Sequence, residues 1–159
     1  MTGAFNKMAT KEMVDSYIEK HKGGAHMMLL IDVDDFKNIN DTYGHQCGDE
    51  VLIYVIRNLR DTYVSGEVIG RVGGDEFVVF IGEVKDKEQL LEKAQELRDL
   101  LHRLYKSGER TVPVSASVGV AMYPEGGSCY EELLYNADNA LYEVKATKKG
   151  NFAIYEPKK

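Results

Sequence analysis

Apolar positions along the chain recur with two periods, and these divide it into helices and strands. Val51, Leu52, Val55, Ile56 and Leu59 share one face of a 3.6-residue repeat, which predicts a helix over about 45–62. Leu90, Ala94, Leu97, Leu101 and Leu104 repeat the same way after Asp86, a carboxylate placed to cap while Gln89 answers three residues on, and Gly108 is expected to end this helix. A third helix opens on Ser128 to Glu131, read as a Ser-x-x-Glu capping box, and continues through Leu133, Ala137, Ala140, Leu141 and Val144. A shorter one covers 11–21, where Met13, Tyr17 and Ile18 form a stripe. Between them the pattern changes to strands. Residues 26–33 are almost continuously apolar, as a strand covered on both faces should be. Residues 67–72 and 76–81 flank Gly73-Gly74-Asp75 and read as a hairpin whose glycines supply the positive φ of a tight turn. Residues 111–122 form one β-rich alternation, and 152–155 a last short strand. The order is mixed α/β around one sheet, in a single domain over 1–159.

Composition narrows the function. At 159 residues and 43% hydrophobic, with 10 Tyr and 5 Phe, the chain can fill one core. Its 20 Lys and Arg against 26 Asp and Glu leave a net charge of −6, which argues against a nucleic-acid-binding surface and requires a cation or a local basic cluster for any anionic ligand. The longest apolar run, Met27 to Ile31, is too short to insert into a membrane. Cys47 and Cys129 fit no metal or redox spacing and suit a reducing, cytoplasmic setting.

Carboxylates collect where strands end, with Asp32, Asp34 and Asp35 leaving the first strand and Asp75 and Glu76 at the hairpin turn. If those strands are neighbours, Asp32 and Asp75 can converge on Mg²⁺, which takes one or two carboxylates and completes its shell with water and phosphate oxygens. The alternative is a solvated acidic turn. From Asp35 to Glu50 runs a dense polar stretch between a strand end and a long helix. Backbone N–H groups after Val33 can receive phosphate oxygens there, and Asn40 with Asp49 presents an amide and a carboxylate matched to the guanine edge. The plainer reading has Asn40 shaping a turn and Asp49 favoured by a helix dipole. Lys145, Lys148 and Lys149 suit the C-terminal end of the third helix with or without a ligand.

Four segments taken together resemble a known family. Gly73-Gly74-Asp75-Glu76-Phe77 preceded by Arg71, the stretch from Asp32 to Asp49, Ser117 to Pro124 and Ala137 to Lys145 stand in the order and spacing of the GGDEF domain of diguanylate cyclases. The resemblance implies a palm-like fold, a central, mainly antiparallel five-stranded sheet flanked by helices. It also implies Mg²⁺-dependent condensation of two GTP into cyclic di-GMP and two pyrophosphates, with Mn²⁺ as an alternative metal. The site would form between the protomers of a homodimer, each presenting one GTP. By the same resemblance Asp32, Val33 through its carbonyl, Asp75 and Glu76 hold metal, with Glu76 as metal ligand or base. Asn40 and Asp49 read guanine. Phe36, Lys37, Lys145 and Lys149 hold the triphosphate, Gly73 and Gly74 line it, and Arg71 meets phosphate. Family members that make mixed dinucleotides carry Ser where this chain has Asp49, so two guanines are expected.

The chain also departs from the family. Its feedback-inhibition motif, Arg-x-x-Asp, reads Val64-Ser-Gly-Glu67, and the usual Gly-Arg-Asn after the third helix reads Lys148-Lys149-Gly150. The N-terminal motif begins at Met1-Thr2-Gly3, the expectation being a bacterial, cytoplasmic domain excised from a longer signalling protein with a sensory or regulatory partner. A GTP-binding module that turns over little and controls a partner domain is the competing reading.

Overall fold

The computed structural model describes residues 4–157, so the N-terminal motif at Met1-Thr2-Gly3 lies outside the described residues. In chain order the elements are α1 (Lys7–Lys20), β1 (His26–Val33), α2 (Phe36–Tyr43), α3 (His45–Thr62), β2 (Val68–Arg71), β3 (Glu76–Ile81), α4 (Lys87–Leu100), β4 (Arg103–Ser107), β5 (Arg110–Val114), β6 (Ala116–Tyr123), α5 (Tyr130–Thr147) and β7 (Phe152–Ile154). The main sheet has the order β2-β3-β1-β6-β7. Every pairing in it is antiparallel except β6 with β7. This is the mainly antiparallel, helix-flanked sheet that the resemblance implies.

β1 lies at the centre and is buried along its whole length, which explains its unbroken apolar run. Met27, Leu29, Ile31 and Val33 enter the cluster that includes residues of α3 and α4, while Met28 and Leu30 pack with α1 and α5. Strand alternation carries Asp32 onto the second of these faces. Register places Asp32 opposite Glu76 of β3 on one side and Ser117 of β6 on the other.

α5 crosses that face in direct contact with backbone. A Cβ built on Gly119 of β6 would lie 2.0 Å from the carbonyl oxygen of Ala137 and 2.6 Å from the Leu141 nitrogen. Neither backbone group can yield as a flexible side chain would. Gly119→Ala is expected to destabilise the domain by about 3 kcal/mol, seen as a lower urea midpoint at unchanged slope.

Four expectations are corrected here. The second helix stops at Leu100 instead of running to Gly108, because 103–107 pairs with 110–114 in a separate hairpin that sets Leu104 opposite Pro113 and leaves it exposed. The alternation over 111–122 is two strands in two sheets, broken at Ser115, whose carbonyl accepts the Asp34 N–H at 2.9 Å. Ser128 and Glu131 form no capping box. Cys129 is the N-cap, the Ser128 amide donates to Glu132, Glu131 pairs with Lys11, and Asp15 of α1 accepts the Tyr130 N–H at 2.8 Å. Finally, Gly73 and Gly74 are not among the positive-φ glycines. Gly73 is needed for space, since a Cβ there would lie 2.8 Å from a Glu76 carboxylate oxygen, whereas Gly74 faces nothing within 4 Å. The Asp86 cap stands as expected, accepting the Gln89 N–H at 2.8 Å.

Candidate active site

The C-terminal end of β1 and the β2–β3 turn meet through the backbone. The Val33 N–H donates to the Asp75 carbonyl at 3.2 Å, which fixes the turn beside the strand end. Arg71 holds the turn from the other side, donating to the carbonyls of Gly73 at 3.3 Å and Gly74 at 2.6 Å. The guanidinium is thus engaged with the turn itself in this structure.

Three carboxylates gather at this junction. Asp32 is 6% exposed, and one of its oxygens, Oδ1, is buried without a hydrogen-bond partner. The other oxygen is paired with the Lys145 ammonium of α5. Burial pushes the Asp32 carboxyl up to about 6; Lys145 pulls against this, and the negative Asp75 beside it adds to the rise. Glu76 is raised as well, by burial first and then by Asp75 and Asp138, with Lys145 and Lys7 opposing. An oxygen-only donor set carrying excess negative charge and an orphaned buried oxygen fits a hard divalent cation. Among the described residues no group of three or more His, Cys, Asp or Glu side chains is arranged to hold a metal ion by itself.

Next to the carboxylates, Asp35 adopts φ 53 and ψ 37 as the N-cap of α2 but makes no side-chain cap bond. Its carboxylate accepts from Lys149 at 2.8 Å instead, an ion pair that raises the Lys149 pKa. The first turn of α2, with Phe36 and Lys37, is therefore left to offer its amides to an anion. This helix escapes the sequence pattern because it buries a single residue, Ile39.

α2 and α3 are joined at Gly44, and the notch between them is flanked by Asn40 and, in the second turn of α3, Asp49, which therefore lies past the first turn where a helix dipole would favour it. Asn40 packs on Gly48, where a Cβ would lie 1.8 Å from Asn40 Oδ1 and 3.2 Å from Phe36. That oxygen is buried and has no partner. Gly48 was not singled out by sequence reasoning, although its place beside Asp49 in the polar stretch was the available signal. Asp49 itself is exposed. The predicted residues thus form three adjoining parts: the carboxylate group with Lys145, the α2 amides with Lys149, and the Asn40–Asp49 notch. In the segment that replaces the feedback motif, Val64 is 76% exposed and Glu67 accepts from the Ser65 amide at 2.8 Å.

The family model of the diguanylate cyclase GGDEF domain matches residues 1–151. The chain belongs to the GGDEF family. Among curated relatives of this GGDEF domain, the diguanylate cyclase DosC of Escherichia coli is 36% identical over 131 residues, 81% of this chain and 28% of the relative. The cyclic di-GMP phosphodiesterase NbdA of Pseudomonas aeruginosa is 34% identical over 157 residues, 98% of this chain and 20% of the relative. The chain therefore spans less than a third of either. The crystal structure of the GGDEF domain of YfiN, also called TpbB, from Pseudomonas aeruginosa superposes with a TM-score of 0.91 at 28% identity, covering 99% of this chain and all of that one. No helix among the described residues is long and apolar enough to cross a membrane.

Proposed function

We propose that this GGDEF domain is an active, cytoplasmic diguanylate cyclase, condensing two GTP into cyclic di-GMP with release of two pyrophosphates. The observation that carries this reading is the buried Asp32, with its unpartnered Oδ1, opposite Glu76 and beside Asp75. Asp32, Asp75, Glu76 and the Val33 carbonyl would hold Mg²⁺ or Mn²⁺. When bound, the ion supplies Lewis-acid stabilisation of charge at the α-phosphate and acidifies the attacking 3′-hydroxyl. The remaining task of the chain is positioning and charge neutralisation. Lys145 and Lys149 are already paired with carboxylates here and can exchange these partners for triphosphate oxygens. Phe36 and Lys37 offer backbone amides, Asn40 and Asp49 read the base, and Gly73 and Gly74 leave room over the turn. Arg71 acts by holding that turn or by reaching phosphate. Glu76, its carboxyl raised by burial, suits a proton acceptor for the 3′-hydroxyl.

Each domain presents one GTP, so the 3′-oxygen of one nucleotide attacks the α-phosphorus of the other, pyrophosphate leaves, and the second bond forms the same way across a homodimer. Relatives carry the corresponding module within much longer chains, which supports a sensory or regulatory domain as the natural partner. The test is chromatography of products from GTP and Mg²⁺ across a protein concentration series, with ATP in parallel. Cyclic di-GMP should rise more steeply than linearly with protein; GTP bound but unchanged at every concentration, including in a forced dimer, would favour the second reading. That reading, a GTP-binding regulatory module, is favoured by the similarity to a protein named as a phosphodiesterase over 98% of this chain.

Base selection rests on Asp49, whose carboxylate can accept from both N1–H and the exocyclic amine of guanine but meets the wrong donor order in adenine. Asp49→Ser is expected to reduce the GTP over ATP preference in kcat/KM by on the order of 10- to 100-fold. An unchanged ratio would reject the assignment.

A further inference from the structure

Asp34 has no task in the scheme above, yet it is only 7% exposed and its carboxylate is fully engaged. Its Oδ2 accepts from the Ser115 hydroxyl at 2.7 Å, and its Oδ1 from the Ser117 hydroxyl at 2.6 Å. Ser117 is completely buried, and its oxygen in turn accepts the Gly150 N–H at 3.1 Å. The direction of this chain is determined by chemistry. A carboxylate can only accept, so the single proton of Ser117 is committed to Asp34 and its lone pairs are left for the amide of Gly150.

Gly150 follows Lys149 directly and holds φ 76, so the bond restrains the backbone that carries this lysine. It is this positive φ that calls for glycine, because a Cβ on Gly150 would make only ordinary contacts, 3.5 Å from His102 and 3.8 Å from Asp34 Oδ2. At its other end Asp34 sits between Val33, whose N–H bonds the Asp75 carbonyl, and Asp35, the partner of Lys149.

We propose that Asp34 is a positioning residue for the triphosphate, acting through Ser117 on the Gly150 amide to set the height of the Lys149 loop over the first turn of α2. This rests on the reading of the site as a GTP site. The bond from Ser115 reaches the same carboxylate but does not continue to the loop, and it serves as an internal control. The relay acts on the phosphate end of the ligand and leaves the base end in the Asn40–Asp49 notch untouched.

The test measures Kd for GTP and for GMP, with Ca²⁺ in place of Mg²⁺ to suppress turnover, together with amide hydrogen exchange at Gly150. Ser117→Ala and Asp34→Asn are each expected to raise the GTP Kd about tenfold, the loss of one well-placed charged contact, while the GMP Kd stays within about twofold. The double variant should be no weaker than either single one, as for residues in one chain of bonds. Gly150 exchange should accelerate in both, and Ser115→Ala should change neither measure. Equal loss of GTP and GMP affinity would overturn the proposal in favour of general loosening. Faster Gly150 exchange with unchanged GTP affinity would overturn it by uncoupling the loop from the ligand. Absence of GTP binding by the unaltered domain would instead reject the underlying reading, a result distinct from both.

Discussion

Asp75→Asn is expected to lower cyclic di-GMP formation by on the order of 10³-fold while the melting temperature stays within about 2 °C. The substitution removes one negative charge from the carboxylate group at the turn. It leaves the structural contact of this residue intact, because the Val33 N–H is received by the backbone carbonyl and not by the side chain. The turn is also held independently by Arg71. Losing the Asp75 charge should lower the Asp32 carboxyl as well, since that charge contributes to its rise. Product chromatography and a thermal melt on the same preparation make the check. Full activity would remove Asp75 from the metal site, and a collapsed melt would make it a structural residue instead.

Asp32→Asn should abolish activity to a similar degree yet make the metal-free domain more stable at neutral pH. The Asp32 carboxyl titrates at about 6 in the fold against an ordinary 3.8, so the folded chain holds this proton more tightly than the unfolded one. Its contribution to stability is therefore fullest below about pH 4, declines as pH rises towards 6, and is absent above that. The asparagine variant has no such decline. In EDTA at pH 7.5 it is expected to gain about 1–2 kcal/mol, or roughly 4 °C in melting temperature, and the difference from the unaltered domain should vanish near pH 4. A variant that melts at or below the unaltered domain at pH 7.5 would show that the Lys145 pair outweighs burial. The expected combination, a more stable and inactive protein, is typical of a residue kept for chemistry at a cost in stability.

Where one period dominates, the chain is readable. β1, the β2–β3 hairpin, α1, α3 and α5 lie within a few residues of their expected bounds because each buries a stripe or a whole strand. The failures share a physical cause, which is a local pattern overridden by pairing elsewhere. Leu104 stands three residues after Leu101 and imitates a helical turn, but 103–107 gains a full β ladder with 110–114. Ser115 interrupts an apparently continuous alternation because Asp34 draws on both its carbonyl and its hydroxyl. At the start of α5 the Tyr130 N–H is received by Asp15, 115 positions earlier, a partner that no window of sequence contains. The site follows the same division. Its carboxylates are legible as a cluster at strand ends, whereas the approach of Lys145 to Asp32 and of Lys149 to Asp35 depends on α5 returning across the sheet. Without the family resemblance, these lysines read only as favourable charges at a helix end. Gly48 and the bonds joining Asp34 to Gly150 carry no signal in periodicity at all.

The contact at Gly119 also governs how this domain can change length. From Ala137, which rests on that glycine, to Lys145, a helix advances about 12 Å in eight residues, and each residue turns the side chain by about 100°. Deleting or adding one residue in this interval would swing the ammonium away from Asp32, and adding a full turn would overshoot it by about 5 Å. Segment 137–145 should therefore keep its residue count in any functional variant, while the Val64–Gly66 loop, with its exposed side chains, is free to grow.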